Sequence, residues 1–183
     1  NWRINFYSCY LFPWFSSPFT WYHQHVIGHH VYTNIKNKDP DMHHGTPLWR
    51  IHPGQRFLNH YKYQLYYFWF IWSQMTYSLA FLIDITFMIR GNYHKVVKMV
   101  KISERRKKIH YAGRIVTFCL VYVWPFLLPH FSWTKAIIWS FVPYSIFGSC
   151  FAFSSQFNHL VEETMNKFSK DWYKHQVMTS HTF

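Results

Sequence analysis

The sequence predicts an all-α integral membrane protein with a histidine-rich site held at the membrane surface. Three observations predict it. Half of the 183 residues are hydrophobic and 23% are aromatic, more than a soluble core of this size would use. Long apolar stretches recur at 63–89, 114–129 and 135–153. Four histidines (His23, His25, His29 and His30) fall within eight residues beside the first aromatic-rich segment.

The net charge is +12, from 19 Lys and Arg against 7 Asp and Glu. Nucleic acid is the usual partner of such a balance. Here the excess lies beside apolar segments, so anionic headgroups and topology signals explain it better, and no nucleic-acid partner is expected. The mean hydropathy is slightly negative. That reflects 14 His, 14 Tyr and 10 Trp, and Tyr and Trp favour the membrane interface. Cys9, Cys119 and Cys150 are isolated among apolar neighbours and read as buried thiols.

The chain reads as one partial domain. Its first segment, 1–62, contains Trp21-Tyr22-His23-Gln24-His25-Val26-Ile27-Gly28-His29-His30. On a helix, His25 and His29 share a face and His30 projects about 100° round from His29. Imidazoles so grouped suit iron, zinc, copper or nickel, and can serve two neighbouring ions. A merely polar helix face is the plainer alternative. The polar stretch 34–53 reads as an ordered surface loop.

The second segment, 63–89, is long enough to span but holds Gln74 and Asp84. The third, 90–113, carries Arg90, Lys95, Lys98, Lys101, Arg105, Arg106, Lys107 and Lys108 against a single Glu104, and the positive-inside rule makes it a cytoplasmic loop. The fourth, 114–153, reads as a transmembrane hairpin turning at 130–134. If the histidines are also cytoplasmic, 63–89 cannot cross once, so it is expected as a re-entrant or interfacial helix. The alternative is a simple span with the basic loop outside. In an interfacial helix Asp84 would be an ordinary surface carboxylate, and Tyr66, Tyr67, Trp69 and Trp72 would anchor it at headgroup depth.

The last segment, 154–183, is cytoplasmic and begins Ser154-Ser155-Gln156-Phe157-Asn158-His159-Leu160-Val161-Glu162-Glu163. A helix continuing out of the bilayer would aim His159 at the cluster. Glu163, one turn on, could then orient the second ring nitrogen of His159. Asn158 could hold a metal-bound water. A capped, solvated helix end is the alternative.

These motifs resemble the membrane fatty acid desaturases, in particular the branch with an appended cytochrome b5 domain that acts on polyunsaturated acyl chains. Gln24-His25-Val26-Ile27-Gly28-His29-His30, followed by Tyr32-Thr33-Asn34-Ile35, is similar to that family's second histidine box. Asp39-Pro40-Asp41 matches the acidic turn after it. Phe157 to Glu163, with Asp171-Trp172 and Gln176-Val177, matches the segment before the third box.

The resemblance implies transmembrane helices under a cytoplasmic di-iron cap in the endoplasmic reticulum. There two non-haem Fe ions take electrons from NADH through cytochrome b5 and its reductase. With O2, the family removes two hydrogens from adjacent carbons of a fatty acyl lipid or acyl-CoA. Attacking an unactivated methylene needs a strongly oxidising centre in a dry, apolar channel. By match, His25, His29, His30 and His159 would be iron ligands. Asn158, Glu163, Asp39 and Asp41 would support them, although Asp39 and Asp41 would equally well form a turn.

The first and third histidine boxes and the cytochrome b5 domain are not in these residues, so the chain is expected to be an internal fragment, inactive by itself. His52-Pro53-Gly54-Gln55 lacks the second glycine of a haem-binding turn. His23 is expected at the surface or behind the ligands, and His43, His44, His175 and His181 at the surface. A related di-iron hydroxylase or ketolase would use similar boxes. A non-catalytic degenerate homologue is the other alternative. A metal transporter would need ionisable groups along its spans, and 114–129 and 135–153 have almost none.

Overall fold

The computed structural model describes residues 16–43, 45–93, 95–164 and 167–180, and only the backbone of 157–159. It is mostly helical, and five helical runs carry the architecture. Helix α1 (18–32) is Pro18–Trp21, Tyr22–His29 and His30–Tyr32 in succession. It starts where Ser17 Oγ accepts from Phe19 N at 3.3 Å, with Pro18 at the first helical position, where its missing N–H costs nothing. Its middle section has π-helical turns, in which each N–H bonds five residues back.

After a 3₁₀ turn at Asn59–Tyr63, helix α2 (64–90) runs through Gln64–Ser73, Met75–Tyr77, the π-helical Ser78–Ile83 and Asp84–Arg90. Gly91 ends it in the left-handed region, φ 66°, which only glycine adopts at little cost. A short antiparallel ribbon follows, β1 (Asn92–Tyr93) on β2 (Val97–Lys98), with Tyr93 opposite Val97. Phe87, Tyr93 and Val97 form a buried cluster that fastens the end of α2 to the ribbon.

Helix α3 (104–127) comprises Glu104–Phe118, the π-helical Cys119–Val123 and Trp124–Leu127. Helix α4 is Trp133–His159. The two form a hairpin, joined where Ser140 Oγ donates to Val121 O at 2.7 Å. Among the described residues one stretch, Trp133–Gln156 of α4, is long and apolar enough to cross a membrane. Trp133, Ile138, Trp139 and Ile146 project from it into the surroundings, as lipid contact requires.

Helix α4 also packs closely on α2. A Cβ on Gly148 would stand 2.9 Å from Ser73 O and 3.0 Å from Trp72 O, so no larger residue fits without parting the helices. Tyr77 Oη donates to Phe141 O at 2.6 Å across the same seam. Helix α5, Trp172–Thr179, is capped by Asp171, whose carboxylate accepts from Lys174 N at 2.8 Å.

Several expectations change. The basic stretch 90–113 is not a plain loop: it holds the ribbon and the first turns of α3, which begins ten residues before the apolar stretch, at Glu104. Ser103 caps that start, its Oγ accepting from Arg106 N at 3.4 Å. Asp84 is not a surface carboxylate but is 1% exposed. It accepts from Ser16 Oγ at 2.9 Å, from Ser17 N and from Thr20 Oγ1, and Arg114 Nη1 lies 3.6 Å away. A buried carboxylate survives when donors saturate it, and these come from the two residues before α1, from Thr20 within it and from Arg114 of α3. Cys119 and Cys150 are exposed on the outer faces of their helices, and Cys9 lies outside the described residues.

Candidate metal centre

The histidine segment occupies the π-helical part of α1, and this widening decides where the rings go. His30 N bonds to His25 O, five residues back, so residue 30 comes to lie over residue 25. The rings of His25 and His29 stack with centroids 5.1 Å apart and planes 22° from parallel. The His30 ring stands edge-on, 4.6 Å from His25 and 5.6 Å from His29. A regular α-helix would have turned His30 away. Trp21, one turn earlier, stacks on His25 at 4.2 Å and walls the group.

The acidic turn faces this cluster. Asp39 is 1% exposed, and its two oxygens accept from His29 Nδ1 at 3.0 and 3.1 Å. The same carboxylate accepts from Asn34 N at 2.8 Å and Asp41 N at 2.9 Å, so it both closes the turn and holds the ring. The two roles considered for Asp39 therefore coexist. Asp41 Oδ2 lies 3.4 Å from His29 Nδ1, and Asp41 Oδ1 accepts from buried Gln24.

One donor atom from each of His25, His29 and Asp41 lies within 4.8 Å of the others. Two imidazole nitrogens and a carboxylate oxygen suit iron, so these residues fit the metal that the motif implies. With Nδ1 of His29 committed to carboxylate, Nε2 is the nitrogen that would face a metal.

Electrostatics follow from this packing. Burial disfavours a charged His29, but the carboxylates of Asp41 and Asp39 outweigh it, and His29 is pushed up to about 9. Burial and the neighbouring Asp39 charge raise Asp41, to about 7, against the pull of His29. His30 is lowered, by partial burial and then by the positive charge on His29.

Helix α4 ends beside the cluster. Ser155, Gln156 and Leu160 line a cavity of about 10 Å³ together with His29, Asp39 and Asp41, room for about one water. His159 is the last residue of α4; its side chain, like that of Asn158, lies outside the described residues. Glu163 is exposed, in a turn beyond the end of the helix rather than one helical turn from His159.

Other histidines differ from expectation. His23 is buried, not at the surface; its Nδ1 donates to Phe19 O at 2.8 Å and its ring meets Phe87 edge-on, away from the cluster. His175 is 2% exposed and donates from Nε2 to Thr33 O at 2.9 Å. His43 is half-buried, and His44 and His181 lie outside the described residues. His52 is buried, its Nδ1 accepting from Gly54 N at 3.0 Å within a turn.

Sequence reasoning missed Gln24, Trp21 and Gly28. Trp21 sits four residues before His25, the helical spacing that would have flagged it. Gly28 is required by close approach: a Cβ there would stand 2.5 Å from Val97 Cγ2 and 2.9 Å from Pro40 Cγ.

With this geometry in hand, the family is plain. The family model for fatty acid desaturases matches residues 1–183, and the chain belongs to that family. It is 27% identical to acyl-lipid (8-3)-desaturase B of Dictyostelium discoideum, over 92% of this chain and 39% of that protein. It is 30% identical to the probable Delta(5) fatty acid desaturase C of the same organism, again over 92% of this chain and 39% of the relative. An acyl-lipid (8-3)-desaturase of Mortierella alpina is 26% identical, with the same coverage. The chain thus spans about two fifths of the length of these relatives. No solved structure matches.

Proposed function

We propose that this chain forms part of a membrane acyl desaturase, in which His25, His29 and His30 hold non-haem iron and His159, with Asn158, completes the ligand set from the end of α4. The observation that carries this proposal is the convergence of the three box rings on one helical face, with His29 clamped by a buried carboxylate. The relatives' names give the substrate class, acyl lipid, and the reaction, desaturation.

Iron would supply O2 activation and hydrogen abstraction from the acyl chain. This chain's residues do the rest. Asp39 fixes the tautomer and rotation of His29 by taking its Nδ1–H. Asp41 stands close enough to serve as an oxygen ligand or to balance the imidazoles' charge. Trp21 shields one face of His25 from water. Helix α4 seats the site on the bilayer, with the box on the cytoplasmic side of the endoplasmic reticulum, where cytochrome b5 and its reductase would deliver electrons from NADH.

Expressing the full-length gene product in yeast and analysing fatty acid methyl esters tests this. The native protein is expected to yield an acyl chain with one added double bond, and His25→Ala none, at equal membrane insertion. A hydroxylated product would move the assignment to the related hydroxylases.

A further inference from the structure

We infer that His175 is a positioning residue for the imidazole of His29, acting through the single peptide group that joins Thr33 to Asn34; this rests on the assignment of His29 as a metal ligand. Helix α5 lies more than 140 residues along the chain from that peptide, yet packs against it. His175 and Thr179 are both buried at the contact. Nε2 of His175 lies 2.9 Å from Thr33 O. A carbonyl only accepts, so Nε2 carries the proton and donates.

The other side of the same peptide is equally occupied. Asn34 N–H donates to Asp39 Oδ2 at 2.8 Å, and Asp39 in turn accepts from His29 Nδ1 at 3.0 Å. Four groups are therefore in series: imidazole, peptide, carboxylate, imidazole. A bond accepted at the carbonyl polarises the amide and strengthens its N–H as a donor, so the His175 contact tightens the hold on Asp39.

The peptide needs such a clamp. Asn34 has φ 60°, the left-handed region, which asparagine tolerates but which persists only when its surroundings enforce it. A second tie comes from Asn34 Nδ2 to Thr179 O at 3.4 Å. The Phe168 ring lies 5.8 Å from His175, tilted 60°, and backs it from the far side. Without the donor on His175, the peptide is free to rotate its N–H away from Asp39, and His29 loses its orientation.

The test is retention of ferrous iron by the purified full-length protein, read as the rate of iron removal by a ferrous chelator, with size-exclusion profiles as the folding control. His175→Leu removes the donor and is expected to speed iron loss about tenfold, the lower end of what outer partners of metal ligands contribute. His175→Gln places an N–H near the position of Nε2 and is expected to stay close to the native rate. Native retention in His175→Leu, or equal loss in both variants, overturns the inference. If His175→Leu does not fold, His175→Asn replaces it. Its amide is too short to reach Thr33, so loss in Asn but not Gln supports the inference, and equal behaviour overturns it. His29→Ala, run alongside, separates the two claims. Iron retained there overturns the ligand assignment and this inference with it, whereas iron lost there but kept in His175→Leu overturns this inference alone.

Discussion

Gly28→Ala tests how tightly the histidine box is wedged against its acidic turn. The new methyl would stand 2.5 Å from Val97 Cγ2, 2.9 Å from Pro40 Cγ and 3.2 Å from Pro40 Cδ. Ordinary carbon contacts begin near 3.5 Å, so Pro40 must retreat by about half an ångström and Val97 by about one. Pro40 is flanked by Asp39 and Asp41, so its retreat carries both carboxylates away from His29. The His29–Asp39 bond, 3.0 Å in the native protein, would stretch to the edge of hydrogen bonding. Overpacking of this kind costs about 1–3 kcal/mol, and Ala returns about 1 kcal/mol of helix propensity over Gly. A net loss of up to about 2 kcal/mol is expected, visible as a fall in the unfolding temperature of the purified full-length protein. Iron loss to a chelator should accelerate as well. Val97→Ala in the same background removes the nearest clash and should restore part of both. Unchanged unfolding temperature and iron retention in Gly28→Ala would refute the wedge.

Three further outcomes are expected. Gly148→Leu should part α2 from α4, because two of the three contacts its Cβ would meet are backbone carbonyls that cannot rotate away; a loss of at least about 1–3 kcal/mol should appear in thermal unfolding. Asp84→Ala should cost about 3–5 kcal/mol, since it leaves Arg114 buried beside unfilled donors on Ser16 and Thr20, and double replacement with Arg114→Met should recover part of that. In the metal-free protein, His29 rises from 6.5 to about 9 on folding, so the stabilisation from its charged form is lost as pH climbs from about 6.5 through 9, while Asp41, raised to about 7, is itself charged over most of that window. Unfolding temperature should fall across that window, and His29→Gln should flatten the slope.

Much of this was legible in the residues. Apolar runs and the short connector between them foretold the pairing of α3 with α4, and the His25–His29 spacing foretold a shared face. Helical periodicity could not foretell that the box is π-helical, since the spacing of its residues fits a regular α-helix as well. Helical geometry alone set His30 about 100° from His29, and its place beside His25 was expected only from the resemblance to the desaturase box. Asp84 and His175 were misplaced because a polar residue's burial is decided by its partners. Ser16, Thr20 and Arg114 surround one, and the Thr33 carbonyl receives the other. Local pattern carries no trace of contacts made across such separations. Helix α3 begins early because Ser103 caps it, with Glu104 in the first turn, a signal present in the sequence but overshadowed by the basic run that follows.

The most direct test of the central claim is the iron content of the purified full-length protein, measured by elemental mass spectrometry for the native sequence and for His29→Ala. The native protein should carry iron bound tightly enough to survive purification, and the variant, equally well folded, should lose most of it. Equal iron in both would contradict the assignment of the box as the metal centre.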